Sequence, residues 1–194
     1  MNRRDFLKAL AFIPFAQYAE AAQTTSTPIP GQGAQDFWSR PRMVDLQRKD
    51  TSERFAIVYW RNGMLDKAGY QKACEVLRDA HVNEIYPMDI RLLDLVCATQ
   101  AWIRYYGFNA PYLVNSGYRS PKTNARIEGA ARNSKHMAGQ AIDFTVPGLP
   151  ADYMGRLAQS FIKTDGLGGG VGFYTTAQFT HMDTGRGPER AWVR

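Results

Sequence analysis

The sequence predicts an α+β domain, a small antiparallel sheet packed on helices. Two amphipathic helical patterns fill residues 66–107, and short strand-like segments cluster after Pro111. Helices first and strands afterwards argue against alternating βαβ units. With an N-terminal leader and linker set aside, about 155 residues remain, enough for one domain with its own core.

The first residues give an address. Arg3 and Arg4, followed by Phe6-Leu7-Lys8, precede a short apolar run from Ala9 to Phe15 and an Ala19-Glu-Ala21 site. A basic start, a short apolar core and small residues at a cleavage point describe a secretory signal peptide over residues 1–21. The paired arginines mark the twin-arginine route. The run is far shorter than the ~20 apolar residues of a spanning helix, so no stable membrane span is expected after cleavage. Residues 22–41 read as a flexible linker, rich in Thr, Ser, Pro, Gly and Gln as far as Gln35. The domain is expected over residues 42–194.

Within the domain, Phe55 to Trp60 reads as a strand entering the turn Asn62-Gly63, hence a small hairpin. Asp66 caps a helix along which Tyr70, Cys74, Leu77 and Ala80 recur on one face. Pro87 opens a second helix with Asp89 in its first turn. Its apolar stripe runs through Leu92, Leu93, Val96, Trp102, Ile103 and Tyr106, and Gly107 closes it. Strands are expected over Tyr112–Ser116, Ala141–Val146, Gly170–Tyr174 and Phe179–Asp183, with a further helix over Ala151–Ile162.

Cys74 and Cys97 are too few for a disulfide framework and lack metal-ligand spacing. One bridge between two helices and two separate buried thiols are both compatible with their positions. The formal charge of +6 becomes +5 once Arg3, Arg4, Lys8, Asp5 and Glu20 leave with the leader. Such a protein is drawn to anionic wall polymers or lipid headgroups. No basic helix or Arg/Lys block with interleaved aromatics points to nucleic acid. Gly166 to Gly172 lacks the Lys-Ser/Thr pair of a phosphate loop and enters a strand, so it reads as a permissive turn.

The residues that carry chemistry lie in two segments, His136 to Asp143 and His181-Met-Asp183. Alternation along the first strand puts Ile142, Phe144 and Val146 on one face and Asp143 with Thr145 on the other. His181 and Asp183, two apart in an extended segment, project to the same side about 7 Å apart. His136, Asp143 and His181 can supply three N/O ligands with a fourth position open, the pattern of a catalytic zinc site. A structural role, hydrogen-bonded and metal-free, is the common alternative for such residues. His81, beyond a helix and away from any carboxylate cluster, reads as a solvated surface residue.

The longer string decides between these. Ser116-Gly-Tyr-Arg-Ser-Pro-Lys-Thr-Asn124, Ser134-Lys-His136-Met-Ala-Gly139-Gln-Ala141-Ile-Asp143, Gly170-Val-Gly-Phe-Tyr174 and His181-Met-Asp183-Thr-Gly185 occur in that order. This resembles the LAS-type zinc peptidases, which include D-Ala-D-Ala peptidases and the metal domain of hedgehog proteins, and more narrowly the YcbK/MepK-like murein endopeptidases. The resemblance implies one zinc held by His136, Asp143 and His181, with Arg119 near the substrate carbonyl or carboxylate. It implies peptidoglycan as the substrate and the cell envelope or periplasm as the location. Ser134 is expected to orient the metal loop, and Tyr118 and Tyr174 to line the cleft.

One position departs from the wider group. Several of its members carry an acid or a histidine about three residues before the last zinc histidine, where this chain has Gln178. Asp183 is therefore expected to act as general base, its alternative role being to accept a hydrogen bond from a ligating imidazole. The activity expected is hydrolysis of peptide cross-links in the wall. The alternatives are a D,D- or L,D-carboxypeptidase trimming stem ends, and a non-catalytic, metal-stabilised wall-binding module.

Overall fold

A computed structural model describes residues 34–164, 169–185 and 190–193. The expected leader, most of the expected linker and the first glycines of Gly166 to Gly172 lie outside the described residues. The end of that linker is not extended chain: Ala34–Ser39 forms a short helix, α1, and Phe37 packs against the core. The Arg42 guanidinium lies against both Trp38 and Trp60, 4.9 and 4.6 Å from their ring centroids. The folded unit thus begins ahead of residue 42, and the aromatic pair Phe37-Trp38 is what anchors it.

The α+β class holds, but the sheet is larger than a small antiparallel one. Its strands are β1 Arg42–Arg48, β2 Arg54–Arg61, β3 Met64–Leu65, β4 Tyr112–Ser116, β5 Ala141–Thr145, β6 Gly170–Tyr174, β7 Phe179–Asp183 and β8 Arg190–Val193. They lie in the order β3-β2-β1-β4-β5-β7-β6-β8. The β1–β4 and β6–β8 pairs are parallel, and the other neighbours antiparallel. Strand β1 escapes a sequence reading because charged residues interrupt its apolar ones. Val44 and Leu46 are fully buried, and Asp45 between them is buried as well, its carboxylate taking Arg54 at 2.7 and 3.0 Å. Gln100 closes the arrangement by bonding both backbone groups of Asp45.

Asn62 and Gly63 both have left-handed backbones and turn β2 into β3, as their dipeptide predicts. Helix α2, Lys67–Val76, starts where Asp66 accepts the Gly69 amide at 2.9 Å; it ends short of Ala80. Helix α3, Ile90–Tyr105, begins three residues after Pro87, because Asp89 is the cap and not a first-turn residue. Its side chain accepts the Arg91 amide at 2.9 Å. A short helix α4, Pro121–Asn124, follows β4, and α5 spans Ala151–Thr164.

Helices α3 and α5 share one core with the sheet residues Ile142, Phe144, Val171, Phe173 and Met182. Tyr112 stacks on Phe144 with centroids 4.2 Å apart. Gly155 lets α5 approach, since a Cβ there would lie 2.5 Å from the Phe173 ring. Cys74 and Cys97 are buried, separate free thiols. Among the described residues no helix is long and apolar enough to cross a membrane. With the core on one face, the alternate residues of β5, β6 and β7 project from the other, and there the chemistry collects.

Candidate metal centre

Register aligns one residue from each of five neighbouring strands. Ser116 on β4 pairs with Asp143 on β5, Asp143 with His181 on β7, His181 with Gly172 on β6, and Gly172 with Trp192 on β8. Directly paired residues share a face, so this row is a surface for side chains. A parallel row holds Ala141, Asp183, Gly170 and Arg190.

His136 reaches the row from a single tight helical turn, Lys135–Ala138, that ends on Gly139. Gly139 has φ +64°, and a Cβ there would meet the Pro87 carbonyl at 2.4 Å, so glycine is required on both counts. Ser134 precedes the turn without a capping bond from its side chain; its carbonyl accepts the Met137 amide at 3.1 Å.

The three ligand candidates converge. His136 Nε2 lies 3.3 Å from Asp143 Oδ1 and 3.3 Å from His181 Nδ1, and the latter two are 2.7 Å apart. Ligands at ~2.05 Å around a tetrahedral zinc sit about 3.3 Å from one another, so the triangle has the size one ion needs. All three residues are buried, and together they can hold a metal ion. The outer atoms are engaged as a ligand set requires. His136 Nδ1 donates to the Gly117 carbonyl at 2.6 Å, which directs the Nε2 lone pair inward. His181 Nε2 faces Asp183 Oδ2 at 3.3 Å, leaving Nδ1 for the centre. Arg119 holds Asp143 Oδ2 and donates through Nε to Ser116 Oγ at 2.7 Å.

Without a cation the centre is polarised by opposing effects. Burial pushes the His136 pKa down and the Asp143 carboxylate only partly offsets it, so this imidazole is neutral. Burial also disfavours the charged His181, but Asp143 and Asp183 outweigh it and raise its pKa to about 9. Asp143 is likewise penalised by burial, yet the two imidazoles hold it far below the ordinary carboxylate range. Asp183 is lowered too: burial opposes this, but His181, the Gly185 amide and Arg190 prevail. One carboxylate facing two imidazoles, with a second behind His181, makes a site for positive charge, proton or metal.

Asp183 is fully engaged: Oδ1 accepts the Gly185 amide at 2.9 Å and Arg190 at 2.6 Å, Oδ2 faces His181, and 2% of the residue is exposed. Tyr118 is buried, stacks on Tyr86 at 4.5 Å and donates to Glu84 at 3.0 Å. Tyr174 stacks on Phe179 at 4.1 Å, and its ring converges with Trp192 over Gly172. His81 is exposed and stands apart from the triad. It lines a cavity of about 380 Å³ beside Arg119, together with Lys49, Arg78 and Asp79.

Arg190 and Trp192 are the site neighbours that a sequence reading misses. Trp192 lies 5.3 Å from the His181 ring. Their signal is indirect: glycines at two alternate positions of β6 leave room for side chains from the next strand.

Fold and site define an α+β protein with a buried His–Asp–His cluster that could hold a metal ion on the face of its sheet away from the core. The chain belongs to the family described as peptidoglycan L,D-endopeptidase MepK, whose model matches residues 37–192. That span takes in both Phe37 and Trp192. A probable peptidoglycan L,D-endopeptidase MepK of Haemophilus influenzae is 33% identical over 157 residues, 79% of this chain and 80% of that protein. The peptidoglycan L,D-endopeptidase MepK of Escherichia coli is 32% identical over 201 aligned positions, 98% of this chain and 97% of that protein. No solved structure matches the chain.

Proposed function

We propose that this chain is an exported, zinc-dependent peptidoglycan hydrolase that cleaves peptide cross-links, a murein endopeptidase acting like its relatives on L,D bonds. The observation that carries the reading is the triad: three inward donor atoms spaced for one ion, with both outer imidazole nitrogens hydrogen-bonded, in a chain of this family. His/Asp/His is a borderline donor set that suits zinc. The paired arginines and apolar run of the leader support export by the twin-arginine route into the envelope.

Zinc, when bound, supplies Lewis acidity toward a scissile carbonyl and lowers the pKa of water to about 7. The protein's own residues do the rest. His136 keeps its Nδ1 proton on the Gly117 carbonyl and offers Nε2. Arg119 holds the outer oxygen of Asp143, so the inner one stays turned toward the imidazoles. Asp183 is better suited to holding the outer proton of His181 than to acting as general base, since Gly185, Arg190 and His181 occupy its oxygens. The cavity beside Arg119 offers a cation to the acidic stem peptide: Arg78 lines it and donates to two neutral oxygens, Asn83 Oδ1 and the Glu75 backbone carbonyl.

Digestion of purified murein by the zinc-loaded protein, with masses of the fragments, tests the reading. Conversion of cross-linked muropeptides to monomers, abolished by chelation and restored by zinc, is the expected result. Release of single amino acids identifies a carboxypeptidase. Intact murein, with zinc bound in stoichiometric amount, identifies a wall-binding module.

A further inference from the structure

We propose that the C-terminal strand is part of the metal site: Arg190 and Trp192 reach across the side-chain-free Gly170 and Gly172 to hold His181 in its ligating orientation. The inference rests on the zinc reading in one respect, that His181 is a ligand. Strand β8 pairs with β6, one strand removed from His181, and an ordinary β6 residue would separate them. At Gly172 a Cβ would lie 2.8 Å from Trp192 Cε2 and 2.8 Å from its Nε1. At Gly170 it would lie 2.5 Å from Asp183 Oδ2 and 3.2 Å from Arg190 Nη2. The gaps are filled by the β8 side chains themselves. Arg190 thereby meets Asp183 at 2.6 Å, Asp183 meets His181 Nε2 at 3.3 Å, and the indole tilts at 47° beside the His181 ring.

The strand is not there to complete the core. None of its residues belongs to the core cluster, Val193 is 71% exposed, and Ala191 is exposed as well. Arg190 also keeps Nε buried with no partner among the described residues, a cost accepted where its Nη2 contact is made. An imidazole in the row has one soft torsion about its ring. The Asp183 carboxylate fixes that angle through one hydrogen bond, and the indole blocks rotation from the side. Arg190 and Trp192 are positioning residues, since each acts on His181 and not on substrate.

The test is zinc affinity by chelator competition, with the thermal midpoint of the chelated protein as the control for folding. Loss of an outer partner of a ligand weakens metal binding about 10–100-fold. Arg190→Gln and Trp192→Ala should each raise the zinc Kd by about tenfold or more, with the chelated proteins still folded at the temperature of the competition assay. Arg190→Lys and Trp192→Phe, which keep charge and ring, should restore most of the affinity. Gly172→Ala keeps every clamp side chain yet displaces the indole, and it serves where a deletion variant fails to fold. It should raise the Kd as Trp192→Ala does. Unchanged zinc Kd in the folded Arg190→Gln/Trp192→Ala double variant, or in Gly172→Ala, overturns the clamp while leaving the metal reading intact. A wild-type chain that binds no zinc overturns both.

Discussion

Titrating the metal-free protein exposes the competition between proton and zinc at His181. The two carboxylates around its ring, Asp143 at 2.7 Å and Asp183 at 3.3 Å, raise its pKa to about 9, while burial depresses that of His136. At pH 7 the His181 proton must therefore leave before Nδ1 can take a metal. That competition weakens zinc binding about 50-fold at pH 7 relative to pH 9, where half of the rings have already lost the proton. The sign for stability follows the same shifts. The raised His181 contributes stability to the metal-free fold below about 6.5 that is lost as pH rises through about 9. Asp143 and Asp183, both lowered, contribute stability above about 3.8 that is lost as pH falls. With three histidines in the chain, nitrogen-15 imidazole spectra of the chelated protein resolve each ring. His181 should carry protons on both nitrogens until about pH 9, and His136 should titrate below the ordinary histidine value of 6.5. A His181 that titrates at or below 6.5 refutes the reasoning, because the carboxylates would then not govern the ring.

Asp183→Asn should lower zinc affinity about 10–100-fold but leave murein cleavage near wild type at saturating zinc; a loss of 100-fold or more that zinc does not rescue makes Asp183 the general base. Lys49→Gln combined with Arg78→Gln should raise KM for muropeptides about tenfold with kcat little changed, since a charged hydrogen-bonding partner is lost from the cavity; an unchanged KM removes that cavity from substrate binding. Gly139→Ala should destabilise the fold by more than ~1 kcal/mol in urea unfolding and reduce bound zinc, because the left-handed backbone and the Pro87 carbonyl both exclude a Cβ. Full stability and full zinc content in that variant would show that the loop relaxes freely.

What was legible in the sequence shares a common cause. The strands β4, β6 and β7 have the predicted limits, and β5 differs by one residue, because alternation there reflects a true core face. His136, Asp143 and His181 come together as their spacing suggested. What was illegible depends on partners far away in the chain. Strand β1 buries Asp45, acceptable only because Arg54 and Gln100 meet it. The start of α3 at Ile90 and not Pro87 turns on Asp89 as the cap. Helix α1 was hidden in a polar stretch, and Phe37 explains itself only once the core is there to receive it. Asp183 shows the same limit within the site. Its strand face was evident, but the direction of its oxygens depends on Arg190 and Gly185.

The division of labour among the three proposed ligands follows from the fold. Asp143 and His181 sit opposite one another on paired strands, so the hydrogen-bonded ladder fixes their separation whether or not a metal is present. His136 has no ladder. Its turn is tied instead by backbone bonds to three other segments. The Arg119 amide meets the His136 carbonyl at 3.2 Å, the Asp89 amide meets the Gly139 carbonyl at 2.9 Å, and the Thr184 amide meets the Gln140 carbonyl at 2.9 Å. Each tie ends beside a residue of the site or of the helix that supports it: Arg119 itself, the α3 cap Asp89, and Thr184 next to Asp183. Asp89 and Thr184 also bond each other through side chains at 3.0 Å, closing the path from the helix cap to β7. The string of small and polar residues around His136 is therefore the means by which a loop ligand acquires the rigidity its two sheet partners have from strand pairing. Held in this way, the three proposed ligands are preorganised for an ion, and the free energy of binding is not consumed in assembling them.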